Sequence, residues 1–186
     1  MAQQTNSQYK HIIDACREVF MVKMKDYGTA WRILRPSSLT DQIFIKAQRI
    51  RSIQEKKNQR IAEGIEPEFT GIINYSIMAL IQLELGSSEP LNLDAIETER
   101  LYKKHAQEAQ NLMSDKNHDY SEAWREMRVS SLTDIILMKL LRIKQIENNA
   151  GKTEVSEGLD ANYLDIINYA VFARILLMEE LEKKNN

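Results

Sequence analysis

A chain of 186 residues, 43% hydrophobic and 28% charged, has the balance of a globular protein, with room for one large domain or two small ones. Its net charge of −2 argues against a dominant non-specific grip on duplex nucleic acid, which needs a strongly basic face, while leaving room for a local basic pocket for a small anion. Six glycines and three prolines are too few turn residues for a many-stranded sheet, and a single cysteine, Cys16, excludes an internal disulfide.

In chain order, Met1–Tyr9 is polar and lacks the apolar stretch of a signal peptide. No apolar run reaches the roughly 18 residues of a membrane span. Together these absences lead to the expectation of a cytoplasmic protein with no membrane partner. A first helix is expected over Ser7–Lys25. A structured loop follows from Asp26 to Ser37, with Trp31 on a short helical turn. A second helix is expected over Leu39–Ala62 and a third over Glu68–Leu85, with Gly64-Ile65-Glu66-Pro67 as the break between them. The stretch Gly86-Ser87-Ser88-Glu89-Pro90 ends the third helix, because glycine closes helices and proline cannot continue them.

The pattern then repeats. Helices are expected over Asp94–Lys116, Leu132–Asn149 and Ala161–Lys184, with a loop from Asp119 to Ser130. Asp94 followed by Glu97 has the form of a capping box. Residues 23–50 align with residues 116–143 without a gap, at an offset of 93. Sixteen of these 28 positions are identical. The first copy reads Lys23, Asp26, Tyr27, Ala30, Trp31, Arg32, Arg35, Ser37, Ser38, Leu39, Thr40, Asp41, Ile43, Lys46, Arg49 and Ile50. The second reads Lys116, Asp119, Tyr120, Ala123, Trp124, Arg125, Arg128, Ser130, Ser131, Leu132, Thr133, Asp134, Ile136, Lys139, Arg142 and Ile143. One residue is then inserted, after which Glu63-Gly64 matches Glu157-Gly158, and Ile72 to Tyr75 matches Ile166 to Tyr169. The chain is therefore a tandem duplication. Repeat one covers 1–86, a linker 87–93, and repeat two 94–186. The expected fold is an all-α bundle of two pseudo-symmetric repeats of three long helices each.

The positions kept in both copies are mostly charged, aromatic or amide, which packing alone does not demand. Lys139 and Arg142 lie within a helix that reads as apolar all round and central, and Lys46 and Arg49 repeat the arrangement. Buried cations need a carboxylate or a bound anion, because an unpaired one costs several kcal/mol, roughly. The last helix offers Asn162, Asp165 and Asn168 on one face near its N-terminus, an end that also favours anions. Lys139 and Arg142 therefore read either as phosphate ligands or as partners of Glu157 and Asp165. Lys116, Arg125 and Arg128 surround Tyr120 and Trp124, a grouping suited to phosphates and a stacked base. Asp134 reads either as the acid of a capping box begun by Ser131, or with Glu157 and Asp165 as a magnesium site and catalytic centre. In repeat one the equivalents are Asp26, Tyr27, Trp31, Arg32, Arg35, Asp41, Lys46, Arg49, Glu63 and Asn74. Gly71 replaces Asp165 and Glu68 replaces Asn162, so repeat one reads as degenerate and repeat two as the competent copy.

The spaced set from Lys116 through Asp119-Tyr120, Trp124-Arg125, Arg128, Asp134, Lys139, Arg142, Glu157, Asp165 and Asn168 resembles the nucleotide modification associated domain family, first type. The likeness covers nearly the whole chain, once per copy. It implies an all-α fold found in bacteria and phages, linked by context to nucleotide or DNA-base modification. It assigns no settled reaction, and its motif residues are those just named from Asp119 onward. A looser similarity joins the chain to the all-α nucleoside triphosphate pyrophosphohydrolases, whose paired-glutamate helix motif is absent here. The functional expectation is a protein that handles a small-molecule nucleotide, as a magnesium-dependent phosphohydrolase or else as a non-enzymatic binding or scaffold module.

Overall fold

A computed structural model describes residues 2–56, 64–86, 91–155 and 157–185, and only the backbone of residues 2, 3, 119 and 120. Six long helices account for most of it: α1 (Ala2–Tyr27), α2 (Pro36–Glu55), α3 (Glu66–Leu85), α4 (Ala95–Tyr120), α5 (Val129–Asn148) and α6 (Leu159–Asn185). Two 3-10 turns, Ala30–Ile33 and Ala123–Glu126, carry Trp31 and Trp124. No strand occurs among the described residues. Residues 57–62, assigned to the second helix from sequence, lie outside the described residues, as does Glu63.

Local chemistry accounts for the helix ends. Pro36 begins α2 at a position whose N–H would have no helical partner. Glu66 and Glu68 place acid in the first turn of α3, where it meets the positive end of the dipole. Gly86 closes α3 with a positive φ of 70°. Asp94 caps α4, its Oδ1 accepting from the Glu97 N–H at 2.8 Å. The turn after the first helix of each repeat is left-handed at equivalent positions, Gly28 at φ 59° and Ser121 at φ 58°. Ser121, with ψ −162°, holds a conformation that costs a non-glycine residue about 1–3 kcal/mol.

The capping boxes expected at Ser38–Asp41 and Ser131–Asp134 do not form. The two helices begin earlier, with Arg35 and Arg128 as cap residues lacking any side-chain cap bond. Asp41 and Asp134 then fall in the second turn and reach across to the other repeat. Asp41 pairs with Lys144 at 2.6 Å, and Asp134 faces Arg51 at 3.8 Å. These pairs exchange places under the repeat relation, so α2 and α5 run antiparallel about a pseudo-twofold axis.

The helices α2, α3, α5 and α6 form the centre, with α2 against α3 and α5, and α6 against α3 and α5. Ile43, Ile50, Ile72, Ile77, Ile136, Ile143, Ile166 and Ile167 are wholly buried there. The flanking helices α1 and α4 pack on both α3 and α6. The Tyr9 hydroxyl of α1 donates to Asn168 of α6 at 2.7 Å, and the Tyr102 hydroxyl of α4 donates to Asn74 of α3 at 2.8 Å. Each repeat therefore lends its first helix to the other's third, and the repeats interlock. The α5 helix is two-sided rather than fully buried: Met138 and Leu141 are exposed. By length and composition α6 would suffice to cross a membrane, contrary to the expectation from sequence, but two thirds of that stretch is packed inside the bundle.

Candidate functional site

Where the first helix ends, the 3-10 turn and the third helix of each repeat enclose a hollow. Equivalent residues line it in both copies: Lys23, Trp31, Asn74 and Tyr75 in repeat one, and Lys116, Trp124, Asn168 and Tyr169 in repeat two. The two hollows differ greatly in size. That of repeat one is a cavity of about 590 Å³, within the usual range of small-molecule sites, whereas repeat two retains about 150 Å³.

In repeat two the space is filled from within. Asp165 is buried and accepts from Lys139 Nζ at 2.6 Å and Lys116 Nζ at 2.5 Å. Burial is the largest single influence and works against the Lys116 charge, but the bond to Asp165 and the negative charges around it together outweigh burial, so its pKa stands above the ordinary lysine value. The Phe172 ring stacks on Trp124 at 4.1 Å, 4° from parallel, and the Arg125 guanidinium lies 4.5 Å from the centre of the same indole.

Repeat one keeps the walls and lacks both fillers. Gly71 stands at the position of Asp165, and Met78 at that of Phe172. Glu68, one turn before Gly71, takes up Lys46 at 3.2 Å and Arg49 at 3.0 Å. Lys23 is left lining the cavity with no ion pair among the described residues. Trp31 lies tilted at 56° to Phe20 and has no ring stacked parallel on it among the described residues. Tyr27 stands exposed at the rim.

The other candidates are distributed differently from expectation. Arg125 is fully engaged: it donates to Glu122 at 2.7 Å, Glu179 at 2.8 Å, Thr5 at 2.6 Å and Gln8 at 2.8 Å. It clasps α1, the second 3-10 turn and α6 rather than pointing at a ligand. Its counterpart Arg32 is completely buried and bonds to the Gln82 side chain and to the Gly86 carbonyl, the latter at 3.0 Å. Arg35 and Arg128 are exposed at the starts of α2 and α5, and neither lines either hollow. Arg142 is exposed and lines a separate recess with Glu157 and Asn162. Asn162 also donates to the Gly158 carbonyl at 2.7 Å, so it ties down the start of α6 instead of joining Asn168 in one network. The side chains of Asp119 and Tyr120 lie outside what is described.

The magnesium site is not assembled. Asp134 faces the other repeat, Glu157 is exposed beside the recess, and Asp165 is neutralised by two lysines. Among the described residues no three histidine, cysteine or carboxylate side chains gather to hold a metal ion. The residues present do not fit that group, because a carboxylate already held by two ammonium groups is a poor ligand for a hard cation.

Sequence reasoning passed over Lys23 as a site residue in its own right, and it missed Tyr75, Tyr9 and Tyr102. A signal existed for the last pair, since Tyr9 and Tyr102 are separated by the same offset of 93 as the aligned block. The size of the repeat-one cavity had only a partial signal, Gly71 in place of Asp165, because the other lining differences fall outside the motif.

An interlocked all-α duplication framing a lysine- and aromatic-lined cavity is the class this architecture defines. The chain belongs to the family described as nucleotide modification associated domain 1, whose sequence pattern matches it twice, at residues 23–83 and 116–177. Each match spans the end of one first helix, the 3-10 turn and the following two helices, and so includes one hollow. No curated protein and no solved structure gives a significant match to the chain.

Proposed function

We propose that this protein binds a small-molecule nucleotide, and that it does so in the cavity of repeat one. The observation that carries the reading is the combination within that cavity of an indole, two tyrosines and two lysine ammonium groups. Aromatic faces receive a base, and ammonium groups receive a phosphate. The family's association with nucleotide modification agrees with this chemistry.

The reading is one of binding, with no magnesium-dependent step derived. Among the described residues the carboxylates that such a step would need do not gather into a three-ligand cluster, whereas the aromatic and cationic groups line one cavity. Isothermal titration against a panel of nucleoside mono-, di- and triphosphates, with and without magnesium, tests it. At least one nucleotide should bind without magnesium, and Trp31→Ala should weaken it by about tenfold or more, given the ~1–3 kcal/mol of a stacked base. Absence of binding across the panel would refute the proposal.

A further inference from the structure

The two hollows occupy the same place in the fold, and two of the positions at which their linings differ, Gly71/Asp165 and Met78/Phe172, carry the side chains that occupy the hollow of repeat two. In repeat two a carboxylate is held between two lysines, and a ring is stacked on a tryptophan. A ring and an oxyanion side by side are also the two recognition elements of a nucleotide. In repeat one the matching residues are Gly71 and Met78, so neither element is supplied at those positions, and the hollow measures about 590 Å³ instead of about 150 Å³.

We infer that repeat two carries its own ligand surrogate in Asp165 and Phe172, and that repeat one takes the corresponding groups from solution, with the nucleotide's phosphate beside Gly71 against Lys23 and Lys46 and its base stacked on Trp31. This rests on the proposed nucleotide binding and adds to it the position of each half of the ligand and a stoichiometry of one per chain. It also reverses the ranking of the copies drawn from sequence: the copy with glycine is the open one.

Two further observations bear on it. A Cβ at Gly71 would lie 2.5 Å and 2.6 Å from Lys46 Cε and Cδ, so the lysine stem runs directly over the glycine. Any side chain there would displace the lysine and enter the space assigned to the phosphate. Glu68 does not substitute for Asp165, because one carboxylate is shared by Lys46 and Arg49 and leaves Lys23 uncompensated. Lys23 therefore lines the cavity with its ammonium group unengaged by any ion pair among the described residues, and an anion there would meet it.

The experiment is calorimetric titration of the full chain with the nucleotide that binds best, its nucleoside, and inorganic phosphate. Three proteins are compared: wild type, Gly71→Asp and Lys23→Gln. Wild type should bind one nucleotide per chain, and the nucleoside more weakly. Gly71→Asp should retain its fold, since Lys139 and Asp165 show the geometry to be attainable, and should lose nucleotide affinity by about tenfold or more. Lys23→Gln alters an exposed lysine, so folding is not at risk. It should reduce nucleotide affinity while leaving nucleoside affinity unchanged. If wild type binds but Gly71→Asp or Lys23→Gln binds equally well, or if two nucleotides bind per chain, the inference falls and the broader proposal stands. If wild type binds no nucleotide, both fall.

Discussion

Changing Asp165 to asparagine removes one negative charge and keeps the size of the side chain. The oxygen it removes from ionic contact holds Lys139 at 2.6 Å, and the two side chains are only 10% and 6% exposed. Lys139 then remains buried without a counter-charge, a situation that costs about 3–5 kcal/mol. The second partner, Lys116, is 45% exposed and can turn to water, so its share is discounted to at most about 1 kcal/mol. Asparagine keeps one acceptor, which places the expected loss near the lower bound, about 3 kcal/mol. For a chain of this length that is a fall in melting temperature of roughly 6–12 °C. Urea denaturation with an unchanged m-value and thermal melts both measure it. Glu68→Gln in repeat one is the internal comparison. Its partners Lys46 and Arg49 are 27% and 41% exposed, so the loss should be only about 1 kcal/mol. The double variant Asp165→Asn with Lys139→Met should recover most of the stability, because no unpaired charge remains inside. If Asp165→Asn costs no more than Glu68→Gln, or if the double variant is no better than the single, the assignment of Asp165 as a buried counter-ion is wrong.

Tyr9→Phe and Tyr102→Phe each leave a buried asparagine oxygen without its donor, at an expected cost of about 1–3 kcal/mol in urea melts; a neutral pair would mean that these bonds do not hold the exchanged helices. Trp124 is 6% exposed and stacked on Phe172, so Trp124→Ala should cost about 3–5 kcal/mol. Trp31→Ala, at the edge of an open cavity, should cost clearly less, and equal losses would contradict the difference between the two hollows. Burial works against the Glu122 charge, but the bonds from Thr5 and Arg125 outweigh it, and its pKa lies below the ordinary carboxylate value. The stabilisation is therefore complete above about pH 4.3, the unfolded value, and is lost as pH falls through the lower folded one. Glu122→Gln should melt below wild type at pH 7 and converge with it at acid pH, and a gap independent of pH would refute the assignment.

Much of the helical pattern was legible along the chain, because helix starts, stops and periodicity are local properties. Asp94 capped its helix as its spacing with Glu97 implied, and Trp31 and Trp124 fell on short turns. The capping boxes at Asp41 and Asp134 failed because both helices start earlier, at Pro36 and at Val129, which places the two acids in the second turn, facing Lys144 and Arg51 of the opposite repeat. Arg32 and Arg125 looked like ligands for phosphate since they are kept in both copies. They are kept because each fastens a turn to its neighbours, a role that becomes visible only when partners from distant parts of the chain are in place.

By itself the sequence determined that the protein is helical, that it is a duplication, and that lysines on the second helix of each repeat must meet negative charge. Tertiary structure decided which carboxylate meets which lysine, and hence which copy is left open. The physical reason is that carboxylates one turn apart on a helix can share the equivalent lysine, Lys46 or Lys139, and yet reach different second partners. Glu68 reaches Lys46 and Arg49, whereas Asp165 reaches Lys139 and Lys116. That single-turn difference, together with methionine in place of phenylalanine, is part of what distinguishes the small hollow from the large one.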